Sequence, residues 1–465
     1  METAAMTYLK SFIKQHQDPV KIQVRKHLNA DALFACVRRG LGEITDHRSG
    51  EIKISLPDAL MSAFAMFSLK DPSLLAFDSR RDDEATLHNL QTVFGIRNVP
   101  SDSQMRDICD PVAPDNLRPL FRDIFRHIQR GKKLKPMEFM DGHYILALDG
   151  TKTFESKKLN SDACLVKRNR KGEETYYQMM LGAAFVCPGF REVIPLCPEM
   201  IVRQDGETKN DCERNAAKRF IKHYRREHPH LKTIVVEDGL SSNAPHISLL
   251  QQHDIRYILG VKQGDHDFLF RQVDSACESG EAVEFSMDDE RNPKVLHWFR
   301  VVNGVALNQS NPDLAVNFLE YWEVTTQKNG KEKIQRFSWV TDFEITRKNA
   351  YQIMRAGRVR WKIENETFNT LKNQGYHLEH NFGLGEKYLS TIFTLLMMLA
   401  FLVDQAQQLC CPLFRASWEK SGSKRALWER MRGIFKEFFL DSMETFYRMV
   451  VDGHQRQVPV LLNTG

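Results

Sequence analysis

Three carboxylates stand where their type and position could support chemistry. Asp149 closes the apolar run ILALD, Asp238 closes a second one, IVVED, and Glu364 lies within RWKIE. An acid at the carboxyl end of a buried strand projects into the crevice where open α/β sheets bind ligands, so two neighbouring strands would bring both aspartates together. A glutamate from a helix packed beside that crevice would complete a set of hard oxygen donors suited to Mg²⁺ or Mn²⁺. Two such ions, about 3.5–4 Å apart, activate an attacking oxygen and stabilise the leaving oxygen of a phosphodiester. Each residue also has a plainer role open to it. Asp before Gly after a strand is commonly a turn residue, and Glu364 can pair with Arg360 four positions earlier on one helix face. The ordered set of strand Asp, strand Asp and helix Glu, with basic residues around the last, favours the metal site. Glu366 competes with Glu364, but two residues along a helix is about 200° of rotation, so both cannot face one ion pair. The RWxxE context favours Glu364.

The elements that must position these side chains follow from periodicity. Residues 1–138 read as helical: Pro57 opens PDALMSAFAMFSL, residues 84–94 repeat the helical period, and Ser101 offers N-cap chemistry before QMRDIC. Across residues 139–280 the period becomes that of strands (HYILALDG, ETYYQMMLGAAFVCP, EVIPLCPEMIV), then alternates helix 209–227, strand KTIVVEDG, helix 244–253 and strand IRYILGVK. That order predicts an α/β core, a mixed sheet flanked by helices. Residues 281–343 are strand-only and carry the hairpin signal Asn329-Gly330, which predicts an inserted β-meander. Helix resumes over residues 344–409, first to about Asn373 and then as the apolar segment 387–409. The tail, 410–465, is helical and ends loosely in VPVLLNTG.

Composition narrows the class. The 42% hydrophobic and 27% charged fractions exclude wholesale disorder, collagen and coiled-coil rods. A net charge of +5 permits a nucleic-acid partner only if the charge is clustered. It is clustered three times. Arg118, Arg122, Arg126 and Arg130 recur every four residues, extended by Lys132, Lys133 and Lys135. Lys167, Arg168, Arg170 and Lys171 share a loop between two early strands, and Arg355, Arg358, Arg360, Lys362 and Lys372 surround Glu364. Such runs are either solvated faces or grips on a phosphate backbone. Nine cysteines without C-x-x-C spacing point to a reducing cytoplasm rather than a disulfide framework or structural zinc. His377 and His380 make a poor zinc pair. No phosphate-binding P-loop is present, so no nucleotide cofactor is expected. Asp149-Gly150-Thr151 lacks the second Asp two residues away that aspartyl-phosphate enzymes use; Ala147 and Thr151 stand there. The N-terminus lacks an apolar signal core. The apolar stretch 392–403 falls short of the roughly 20 residues of a membrane span, so it reads as a buried core helix, with no membrane association.

Taken together, Asp149, Asp238, Glu364 and their setting resemble the DDE transposases of bacterial insertion sequences. The likeness is to the cut-and-paste insertion-sequence-four group, which carries a β-strand insertion between its second Asp and its Glu. Separations of 89 residues from Asp149 to Asp238 and 126 from Asp238 to Glu364 leave room for that insertion. The resemblance covers roughly residues 140–405 and implies a ribonuclease-H-like catalytic core. It implies Asp149, Asp238 and Glu364 as a triad holding two Mg²⁺ (or Mn²⁺) ions, and double-stranded DNA (terminal inverted repeats and target) as partner. A homodimer on DNA, formed through the C-terminal helices, is also implied, with residues before 140 recognising the repeats.

The group's signature is Tyr, two residues, Arg, three residues, Glu, six residues, Lys. Arg360 and Glu364 match it, Lys372 comes one residue late, and Gly357 stands in the Tyr position. Trp339 in RFSWVTDF is the nearest match to a tryptophan that stacks on an unpaired base in this group. The implied reaction is hydrolysis of a phosphodiester at an element end, then attack by the freed 3′-hydroxyl on a second phosphodiester. Two other classes share these features: a silent DNA-binding regulator derived from a transposase, and a nuclease of the same fold that does not join strands.

Overall fold

The computed structural model describes residues 25–205 and 209–453; the first 24 residues and the VPVLLNTG end lie outside the described residues. The N-terminal region is helical, as expected. Its helices include Ala30–Gly42, Leu56–Leu69, Glu84–Phe94, Asp102–Cys109 and Arg118–Arg130. Local chemistry starts them: Ser55 caps the second, and Ser101 and Gln104 form a reciprocal capping box on the fourth. Leu56–Leu69 is apolar on every side and correspondingly buried throughout. Against it packs the helix Leu389–Cys410. With 22 residues that helix is long and apolar enough to span a bilayer, so length alone does not assign it to the core. Its burial does.

The rest is a mixed α/β layer. The strands β1 (Tyr144–Ser156), β2 (Leu165–Arg168), β3 (Glu174–Val186), β6 (Thr233–Glu237), β7 (Arg256–Gly260), β8 (Val283–Asp288), β9 (Val295–Asn308), β10 (Asn311–Thr326) and β11 (Glu332–Thr341) run across one sheet in the order β2-β3-β1-β6-β7-β11-β10-β9-β8. The short strands β4 (Ile194–Pro195) and β5 (Glu199–Ile201) also pair with β3. Among the described strands only β1–β6 and β6–β7 are parallel, and both crossovers carry a helix, Lys209–Glu227 or Ala244–Gln252. The run 281–343 is a meander of β8 to β11, turned at Asn329-Gly330 where Gly330 has a positive φ of 77°. It is no detached lobe: β11 pairs with β7, so the meander continues the same sheet.

One buried cation ties distant segments together. Lys70, fully buried after Leu56–Leu69, places its ammonium 2.6 Å from Asp404 on the apolar helix and 3.0 Å from the Ser68 carbonyl. It also lies 4.3 Å from the Tyr376 ring centre and 4.5 Å from that of Trp428 in the tail helix Lys424–Glu437. A buried charge needs this many partners to offset desolvation.

Candidate active site

The register of the parallel strands sets the two aspartates side by side. Ala147 on β1 faces Val236 on β6, so two residues further Asp149 and Asp238 come side by side. Asp238 follows the end of β6, but Asp149 does not close its strand as expected, since β1 runs on to Ser156 paired with β3. Asp238 is also the turn residue that its sequence allows: its Oδ1 accepts from the Leu240 amide at 3.0 Å. The two roles coexist.

Glu364 arrives by a different route. The helix expected to run unbroken to Asn373 ends at Val359, turns at Arg360 and Trp361, and continues as a π-helical turn, Ile363–Phe368, before Asn369–Asn373. Such turns recur at functional sites. This one lies flat on the sheet because β3 presents Gly182 opposite Asp149, and a Cβ there would stand 2.6 Å from the Phe368 ring. Phe368 seats on that bare spot, and Glu364, one turn back, is delivered beside Asp149. Glu366 points elsewhere, 3.9 Å from Arg191.

Arg360 occupies the space between the acids. Its Nη1 is 3.2 Å from Asp149 Oδ2 and its Nη2 is 2.7 Å from Glu364 Oε1. Burial pushes the Asp149 carboxyl up to about 7; Arg360 opposes the shift, while the charges of Glu364 and Asp238 add to it. Among the described residues, no three His, Cys, Asp or Glu side chains are drawn close enough to ligate one ion. The donor chemistry nevertheless suits a hard divalent cation: Asp149 is desolvated, feels the charges of two further carboxylates, and is opposed by the Arg360 guanidinium.

No family model matches the chain, and no curated protein matches it.

Beside Asp238 opens a cleft of about 600 Å³ between β7, β11 and the helix Ala350–Val359. Lys262, Arg336, Arg358 and Arg360 line it with Phe337, Trp339 and Trp361. Lys262 and Arg336 were not singled out from sequence. The rule that picked out the aspartates applies equally to Lys262, which follows β7 just beyond Gly260 on the same edge. Arg336 had no such signal, since only the meander's closure onto β7 brings it there.

The remaining residues fall into two groups. Arg358 faces the cleft, paired with Glu323 and set 4.8 Å from the Phe337 ring centre. Lys372 is partly exposed and paired with Glu379 at 2.8 Å. Arg126, Lys167, Arg168 and Arg170 are exposed and Arg122 half-exposed, with Lys167 and Arg168 ending β2 rather than lying in a loop.

Three residues are placed otherwise than expected. Arg118 is no part of a surface stripe: it is 6% exposed and paired with Glu199 and Glu227 at 3.4 and 3.2 Å. The helix begins at Arg118, and its first turn docks on the core. Lys362 turns inward to the carbonyls of Cys187 and Phe190, leaving no free ammonium for DNA. Trp339, 5% exposed, stacks on Phe337 and packs its indole against Gly357, where a Cβ would stand 2.4 Å from Nε1. This contact accounts for glycine in the Tyr position. The accessible indole on the cleft is Trp361, 46% exposed.

Proposed function

We propose that this chain is a DDE-type DNA transposase with a ribonuclease-H-like core, using Mg²⁺ or Mn²⁺ to cleave and rejoin phosphodiesters. The observation that carries the proposal is Asp149 and Asp238 side by side on adjacent parallel strands, with Glu364 joined to Asp149 through Arg360, next to a basic, aromatic-lined cleft. Strand order supports it as well: β3 and β1 are antiparallel, and β6 and β7 follow parallel to β1, the arrangement of a ribonuclease-H-like sheet. The π-helical turn supports the match to the signature. It closes a hydrogen bond from the Asn369 amide back to the Glu364 carbonyl, five residues rather than four. One additional residue therefore fits the same arc, and Lys372, one position late in sequence, returns to the expected face.

Asp149, Asp238 and Glu364 would hold the divalent ions. Bound there, such ions lower the cost of activating water and of charge on the leaving oxygen. The protein's own residues do the rest. Lys262, Arg336 and Arg358 grip and orient the DNA backbone. Trp361 offers a flat apolar face to an unpaired base, the part that sequence reading assigned to Trp339. Both steps are phosphoryl transfers to oxygen, so neither a covalent enzyme intermediate nor a nucleotide is required.

The test is incubation of the full chain with Mg²⁺ and DNA carrying its element's ends, one 3′-hydroxyl end labelled. Joined product supports transposition. Release of ends without joining identifies a nuclease, and binding without any cleavage identifies a silent regulator; either outcome overturns the proposal.

A further inference from the structure

Arg360 is more than a DNA-gripping residue. Its guanidinium takes both Asp149 and Glu364, at 3.2 and 2.7 Å. A divalent ion ligated by those carboxylates would need the oxygens that the guanidinium now holds, and would sit a few ångströms from a fixed positive charge. Arginine and ion exclude one another there. Arg360 also lines the cleft with Lys262, Arg336 and Arg358. Of these, Arg336 and Arg358 are held by Glu320 and Glu323, pairs independent of the triad. A DNA phosphate drawn into the cleft offers Arg360 a bidentate partner at least as good as the two carboxylates. Arg360 is 24% exposed and Glu364 49% exposed, so neither is locked in by packing.

We infer that Arg360 is a latch on the triad: it closes the metal site in the free protein and is pulled away by substrate phosphate, so that metal loading depends on DNA. This rests on the proposed function and adds an order of events to it. Linkage makes the coupling reciprocal, so metal must raise DNA affinity by the factor by which DNA raises metal affinity.

The probe is Mn²⁺, titrated by electron paramagnetic resonance into the full chain at pH 8, with and without a mixed-sequence 20-base-pair duplex. Wild type should bind Mn²⁺ at least about tenfold more tightly with DNA than without. Arg360→Gln should bind it about tenfold more tightly than wild type in the absence of DNA and gain little when DNA is added. Arg360→Lys, which keeps the charge but cannot span both carboxylates, should fall between them and guards against a glutamine variant that does not fold. DNA-free affinity in both variants equal to or weaker than wild type overturns the latch while leaving the transposase proposal standing. No Mn²⁺ binding by any form, with or without DNA, overturns both.

Discussion

Replacing Asp149 by asparagine removes a charge from a place that burial makes hostile to it. Burial and the neighbouring carboxylates raise its folded pKa from 3.8 to about 7. The folded chain then holds this proton more tightly than the unfolded chain does. The ionised group therefore subtracts nothing from stability below the unfolded pKa, and an increasing amount as pH rises towards the folded one. A shift of roughly three units at about 1.36 kcal/mol each sets an upper bound of about 4 kcal/mol. Asp149 keeps 23% of its side-chain surface in water, which screens part of this and leaves about 2–3 kcal/mol. In EDTA, Asp149→Asn should therefore be more stable than wild type by about 2–3 kcal/mol at pH 8, and by less than about 1 kcal/mol at pH 4.5. For 465 residues at about 2.1 cal/mol/K each, that is a rise in Tm of about 2–3 °C at pH 8. Paired thermal melts at three pH values measure it. Mg²⁺ should close the gap by stabilising only wild type, about 2.7 kcal/mol at a hundred times Kd. A gap that does not change with pH, or a variant less stable than wild type at pH 8, would refute the argument that this carboxyl is held in a desolvated, acid-crowded place.

Other outcomes follow from the same geometry. Asp149→Ala should abolish DNA cleavage while leaving end binding nearly intact in a gel-shift assay. Gly182→Ala should push Phe368 off the sheet, cost about 1–3 kcal/mol in a denaturation measurement, and lower cleavage more than DNA binding, since Glu364 moves with it. Gly357→Tyr, which puts tyrosine where the resembled signature has it, should destabilise the chain rather than improve it, because Trp339 fills that space; a gain in both Tm and cleavage would contradict this. Arg118→Ala should cost about 1–3 kcal/mol, chiefly by taking the arginine from Glu227, since Glu199 keeps Arg219 at 2.8 Å. It should leave the salt dependence of DNA binding unchanged, whereas Arg126→Ala should shallow that slope with little effect on Tm.

Much of the fold was legible because its signals are local. A short apolar run ending in Asp marks a buried strand, and Asp238 follows β6 in that way, whereas β1 carries on seven residues past Asp149 because β3 extends alongside it. The Asn329-Gly330 turn and the Ser101 capping box were equally plain. What lay hidden depended on contacts between segments far apart in the chain. A π-helical turn keeps the apolar spacing of an ordinary helix closely enough that no periodicity betrays it; only the one-residue lateness of Lys372 hinted at it. Arg118 shares the four-residue spacing of its stripe, but its acidic partners sit on β5 and a helix about a hundred residues on. Trp339 looked like a recognition residue because tryptophan near positive charge suits stacking, and nothing near it in sequence reveals Gly357 beneath its ring.

The Lys70 ammonium, a front-end group wedged among side chains from the last hundred residues of the polypeptide, has a consequence for anyone who would dissect the protein. Cutting away the tail would remove Trp428 and expose a charge that the remaining helices cannot solvate well. Supplying the front helices alone would strand the same charge with no acid to answer it. Pieces divided along those seams should come out of expression insoluble, and only the uncut chain should yield material fit for assay.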